Sequence, residues 1–585
     1  MHAPRWERTE FKYGSLALAA LLAACGGGGD SGTTATPTTP VTPASITLSG
    51  TASTGAAVAD KAVDAKCATG SASSVTKADG SFSVSVTDGK WPCVARVALA
   101  DGSALHTVAQ APAAATTATA NITPITQLVT ASVAGGDPAA YYGGFTNAVA
   151  TALPSTAVAS AVTTVAAVLK AGGIDIAPAG DVVAGPVAVA YTDTLATLST
   201  ALTTGGTTLA EITTTVGNTS PNAGAGTGGS TTTSGAASLP AAQLLLPHAA
   251  NCAALRSGTY RVITPSRTGG LAEQSGTIKV DAVTLAVTFT DNSTGTWTAN
   301  ATAAGACRFT DDGGSADIVV SPAGVFVARY REDDGSFRLT IGFPAQSHTL
   351  AEVAGTWNAL GLVTNDIGSY TAASATATIS TAGAFSGVTW CQNDATWSLT
   401  SGNCSSVTTD LSTLKANADG GFDSFDPDAT ASSGRAFMYQ AGNGDVMVVE
   451  VDGDGSLLMF TKQRTVTAPP VGRVSTSWSL ALNAQLLAPA ALSESSNTIA
   501  SVDSTAGSWV RTQHSASGSA FDYPETLFAN NPRAGFNYRA AATSTAVNGT
   551  SVNVREFNVL SLRGMGLNPV VIPSTKSFIF SVDRP

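Results

Sequence analysis

Gly355-Thr356-Trp357 opens a run of short stretches in which polar and apolar residues alternate. Gly258-Thr259-Tyr260 opens a similar run earlier, and Thr476-Ser477-Trp478 a third one later. The segments that follow correspond: Thr277-Ile278-Lys279-Val280, Thr376-Ala377-Thr378-Ile379 and Thr498-Ile499-Ala500-Ser501-Val502. Trp297 precedes Cys307 as Trp397 precedes Cys404, and Trp509 has a similar place without a cysteine. Asp334-Gly335 and Asp452-Gly453-Asp454-Gly455 are hairpin signals. Each segment has room for about eight short strands, which argues for an antiparallel barrel or a sandwich. A barrel leaves no strand edge open, an advantage where few charges guard the edges. Trp357 is expected to point inward, because Thr356 and Asn358 are polar and strand neighbours face opposite sides. Trp478 is expected to do the same if the third segment is a true unit.

Gly-Thr-Trp on a first strand resembles the opening of lipocalin-like and avidin-like barrels. The resemblance implies that Trp357, and Trp478 by analogy, closes its barrel or touches a ligand inside it.

Working back from the repeats, residues 121–216 carry helical spacing. Thr123-Pro124 reads as an N-cap followed by proline at the first helical position. Helices are expected at 125–133, 138–153, 156–171, 191–203 and 207–216, with Gly172-Gly173 and Gly205-Gly206 as stops. Tyr141-Tyr142 is expected to anchor a helix in a core. Before them, Phe82-Ser83-Val84-Ser85-Val86 alternates with period two, and Asp79-Gly80 makes a hairpin turn. Gly50, Ala57-Val58, Asp79-Gly80-Ser81-Phe82 and Pro92 resemble the pattern of the carboxypeptidase regulatory-like, or transthyretin-like, β-sandwich. That resemblance implies a spacer or interaction module without catalysis.

The first 25 residues hold Arg5, Arg8 and Lys12, a short apolar run from Leu16, and then Leu22-Ala23-Ala24-Cys25. This is a positive region, an apolar region too short to span a bilayer, and a small-residue cleavage site. It resembles the lipobox of bacterial lipoproteins, which implies lipid attachment at Cys25. Gly26 follows the cysteine rather than aspartate, which in the enterobacterial rule of that family implies the outer membrane.

The organisation expected is therefore mainly β and multidomain. It runs as signal peptide (1–24), flexible tether (25–44), β-sandwich (45–120), small helical bundle (121–216) and linker (217–240). Three antiparallel β-barrel or sandwich units follow, at 241–350, 351–470 and 471–585, the last either a unit or a closing extension. Cys25 aside, six cysteines permit fifteen pairings. Membership of the same proposed domain favours Cys67–Cys93, Cys252–Cys307 and Cys391–Cys404, and an oxidising envelope makes disulfides plausible.

Chemistry is sparse. Only 12% of residues are charged, and the net charge of -11 with no Lys/Arg cluster argues against nucleic acid. The five histidines form no zinc spacing, and no Gly-x-Ser-x-Gly elbow, P-loop or dinucleotide fingerprint occurs. His514 with Ser515 and Ser517 is the nearest approach to a base beside a nucleophile. Asp423, Asp426 and Asp428, and Asp452 with Asp454, offer alternating oxygens but match no EF-hand loop and suit turns. No metal or cofactor is expected. The function expected is non-catalytic: a lipid-anchored outer-membrane protein, facing periplasm or cell surface, that binds a small ligand or a surface partner or serves structurally. The alternatives are an envelope hydrolase acting on glycans or lipids, and an adhesive component. If the anchor reading holds, Cys25→Ala releases the protein from the membrane fraction or traps its precursor. Normal processing with unchanged detergent partitioning would refute it.

Overall fold

Phe82, Val84 and Val86 are buried while Ser83, Ser85 and Thr87 face out, the signature of a strand with one wet side. The computed structural model describes residues 45–584, apart from 221–238, 269, 303–304, 333, 365–369, 393–403, 410 and 490. Cys25, the tether, most of the 217–240 linker and Trp397 lie outside the described residues.

The first strands make two facing sheets. One orders Ser81–Thr87, Ser45–Thr51 and Thr117–Thr119; the other orders Ser71–Val75, Ala62–Thr69, Lys90–Ala98 and Ala104–Ala109. At the Asp79-Gly80 turn, Gly80 takes a φ of 79° and Asp79 Oδ1 accepts the Ser81 N–H at 2.9 Å. Cys67 lies directly opposite Cys93 on the adjacent strand, and the two are bonded. Cys252–Cys307 and Cys391–Cys404 are bonded as well.

Thr123 caps helix Pro124–Ala134 in a reciprocal box with Thr126. Every side chain from Ile125 to Ala134 is buried, so this helix is central rather than peripheral. Its Leu128 and Val129 share one core with Val84 and Val97 of the strands and with Val165, Leu169 and Leu195 of later helices. Sandwich and helices thus fuse rather than lie side by side. The single helix expected at 138–153 is two, Pro138–Gly143 and Asn147–Ala152. Gly143-Gly144 ends the first, and Thr146 caps the second. Helices Ala157–Ala171, Val189–Thr204 and Leu209–Thr219 complete the set. No helix among the described residues is long and apolar enough to cross a membrane.

The second half is three β units. Strands from Gly258–Ile263 to Phe337–Pro344 close a first eight-stranded barrel. Strands from Gly355–Thr364 to Leu457–Lys462 form a nine-stranded sheet, in which an isolated bridge between Ala384 and Thr413 nearly completes a second barrel. Strands from Val474–Leu482 to Ser577–Asp583 close a third. The three openers are only partly alike. Gly258 and Gly355 enter their strands at φ 148° and 132°, a region that favours glycine. The aromatic two positions on then turns inward and donates to the carbonyl four residues back. Tyr260 Oη reaches Arg256 O at 2.9 Å, and Trp357 Nε1 reaches Val353 O at 2.7 Å. In the third opener Thr476 stands where the glycine was. Trp478 faces the other way, with no acceptor for its indole N–H among the described residues.

Candidate functional site

A closed barrel has an inner and an outer face, and strand pairing says which residues share one. In the first barrel Tyr260, Trp297, Phe309 and Phe326 converge in a single interior cluster, with ring centroids 5.4 to 6.0 Å apart. In the second, Trp357, Phe422, Met438 and Phe460 do the same, cushioned by Ala359, Ala373 and Ala375. Both interiors are filled with side chains, as expected for about eight strands.

The third barrel is arranged the other way round. Trp478, Leu480, Phe578, Phe580 and Val582 have no exposed surface, yet they point outward. Glu494, directly opposite Trp478, reaches Arg308 on the outside of the first barrel at 3.8 Å. The same outer face shares a core with Leu360, Leu362 and Met459 of the second barrel and with Ile263, Val327 and Phe343 of the first. The inward positions on these strands are Ser477, Ser479 and Ser581, with Ser495 across from Ser477. Ser479, Ser495, Ile579 and Ser581 remain part-exposed although they point into a closed barrel. Solvent therefore reaches these inward positions of the barrel lumen.

Its walls differ. One is polar: Ser477 and Ser495 hydroxyls lie 2.8 Å apart, and Ser475 Oγ donates to Asn497 Oδ1 at 3.0 Å. The other is apolar, built from Ile499, Trp509, Leu527, Phe557 and Val559. Between them, Glu525 on strand Tyr523–Ala529 lies opposite Arg511, which donates to it from Nε at 3.0 Å. Arg539 also donates to Glu525 and lies over Phe557, its guanidinium carbon 3.9 Å from the ring centroid. Burial opposes the charge on Glu525, but Arg511 and Arg539 outweigh it and hold the carboxyl below its usual range. Polar donors and acceptors on a solvent-reached wall, beside an apolar cluster, suit a small polar ligand.

The residues singled out from sequence fall elsewhere. Trp357 plugs the second barrel. Trp478 is outside its barrel, in the seam between units, and so does not close it. Ser515 and Ser517 are turn residues, since Ser515 Oγ accepts the Ser517 N–H at 3.1 Å. His514 instead bridges Thr498 Oγ1 and Asp522 Oδ2, each at 2.8 Å, on the outer face. Asp522 also accepts the Ser515 N–H, so this chain ties the 515–522 loop to the barrel wall. Asp423 pairs with Arg435 at 3.5 Å, and Asp428 sits in a turn at φ 61°. Among the described residues no three His, Cys, Asp or Glu side chains converge as a metal site. The lumen escaped the sequence reading because Ser477, Trp478 and Ser479 alternate just as Thr356, Trp357 and Asn358 do, and alternation does not say which face is inside.

No family model matches the sequence, and no curated protein matches it. Among solved structures, the chain is similar to the vaccine antigen transferrin binding protein B of Haemophilus parasuis Hp5, in a mutant form. The identity is 10%, covering 56% of this chain and 75% of that one, with a TM-score of 0.12. It is also similar to isotype 1 transferrin binding protein B of serogroup B Neisseria meningitidis. There the identity is 8%, covering 53% of this chain and 63% of that one, with a TM-score of 0.14. Superposition at that level is too poor to carry any property across.

A second feature lies inside the second barrel. Glu450 and Asp452 are alternate residues of strand Val446–Asp452, facing inward opposite Ala436 and Gly434. Burial pushes Glu450 up to about 7, against a hydrogen bond from Ser424, and Asp426 adds to the rise. Burial and then Glu450 itself push Asp452 up as well. A carboxyl that holds its proton more tightly when folded stabilises the fold fully below its ordinary value, near 4.5, and loses that contribution as pH rises toward 7. His106 is depressed by burial and contributes with the opposite sign, so the effect must be read by difference. Glu450→Gln is expected to raise the thermal midpoint at pH 8 and leave it nearly unchanged at pH 4.5. An equal change at both values would refute the assignment.

Proposed function

We propose that this chain is a lipid-anchored envelope protein whose third barrel holds a small polar ligand. The observation that carries the reading is the reversal of burial in that barrel. Phe578, Phe580 and Val582 face out and are fully buried, while Ile579 and Ser581 between them face in and are part-exposed. A protein gains nothing in stability from leaving a barrel interior unfilled, since buried apolar contacts would replace it. An interior with one polar, solvent-reached wall, beside two filled ones, is what a receptacle requires.

The other units serve this role. The filled barrels are rigid mounts, and their outer faces supply the surface against which the third is held. The N-terminal strands and helices act as a spacer, and Cys25 would tie the assembly to the outer membrane, facing periplasm or cell surface. The role is binding rather than catalysis. The lumen offers hydroxyls and amides for contact; of its carboxylates, Glu525 is committed to two arginines and Asp583 lies beside Asn568.

The lumen reading is tested by placing a thiol inside each barrel. Ser495→Cys is expected to react in the native protein with a small charged methanethiosulfonate reagent. Ala359→Cys, in the filled second barrel, is expected to react only after unfolding. A Ser495→Cys thiol as unreactive as Ala359→Cys would overturn the receptacle.

A further inference from the structure

The two arginines of the lumen ask for more than the protein gives them. Glu525 has 1% of its side chain exposed, between Arg511 at 23% and Arg539 at 11%. Two guanidiniums present about ten N–H donors, whereas one carboxylate offers about four acceptor sites. Arg539 spends its Nε on the Arg555 carbonyl at 2.9 Å, and Arg511 spends its Nε on Glu525. The cluster keeps a net positive charge. Asp583, opposite Ser477 and near Asn568 at 3.4 Å, also faces the lumen, but from the polar wall. Positive charge is thus concentrated at the arginine side, beside the apolar wall.

We infer that the lumen selects a small acidic sugar, its carboxylate on the Arg511–Arg539 pair and its ring toward the polar wall. This rests on the reading of the third barrel as a receptacle. The planar guanidinium matches a carboxylate in shape and charge, and such charge-assisted bonds are the strong ones. The part-exposure of both arginines inside the barrel leaves them reachable from the lumen. Gln513, two residues along the strand from Arg511, and Ser495 and Asn497 on the adjacent strand supply donors and acceptors for ring hydroxyls. A neutral sugar would leave the excess guanidinium donors to water, and a bare carboxylate such as acetate would leave the polar wall unused.

Calorimetric titration of the full chain with glucuronate, glucose and acetate tests this. Glucuronate is expected to bind saturably, at least about tenfold more tightly than glucose or acetate. Arg511→Gln keeps the Glu525–Arg539 pair, so the barrel folds, and it is expected to erase that preference. Ser495→Phe fills the lumen without touching the ion cluster and is expected to abolish binding of every sugar. Glucose binding as tightly as glucuronate would overturn the acidic class while leaving the receptacle. Glucuronate binding unaffected by Ser495→Phe, or no saturable heat from any of the three, would overturn both.

Discussion

The apolar seam outside the barrels is the contact on which the second half depends. Strands that would ordinarily hide their large side chains inside a barrel turn them outward in the third unit. Trp478, Leu480, Phe580 and Val582 meet Leu360, Leu362 and Met459 of the second unit and Ile263, Val327 and Phe343 of the first. Burying one such side chain stabilises by about 1.5 to 3 kcal/mol, and the seam gathers many. Polar contacts fix its register. Asn358 Nδ2 donates to Ala534 O at 2.6 Å, and Asn443 Nδ2 donates to Gly564 O at 3.0 Å. Arg308 and Arg584 both reach Glu494.

Once the third barrel is held from outside, its interior is released from the duty of holding it together. That is the physical link between packing and the function proposed for the third barrel. The first two barrels are stabilised from within by Tyr260, Trp297 and Phe326, or by Trp357 and Phe422, and have no space left. The third carries serines and an ion cluster beside its own rings, Trp509 and Phe557. The acid pair Glu450 and Asp452 shows the converse. Placed in a filled interior, carboxyls are driven toward the protonated form instead of being solvated.

The sequence made the β-rich, repeated character of the second half legible, because turn dipeptides and period-two alternation are local signals. Thr123-Pro124 was equally legible, and the structure places the cap there. The break at Gly143-Gly144 is written in the residues, but the helical spacing on either side of it masks it. What alternation could not reveal was the sense of the third barrel. Ser477-Trp478-Ser479 and Thr356-Trp357-Asn358 are the same pattern, and only partners distant in sequence decide which face is inside. The one local hint was Thr476 in place of the glycine that turns Tyr260 and Trp357 inward. The ion cluster was hidden for a related reason, since Arg511, Glu525 and Arg539 come from three strands.

Neighbouring residues of one strand test the central claim, that the third barrel is held from outside and open within. Phe580 points into the seam and Ile579 into the lumen. Equilibrium unfolding of the two alanine variants should separate them. Phe580→Ala is expected to cost about 3 to 5 kcal/mol, as for a core aromatic. Ile579→Ala, at a part-exposed inward position, is expected to cost less than about 1 kcal/mol. Equal losses, or a larger loss at Ile579, would mean that the interior carries the fold and that the barrel is not hollow.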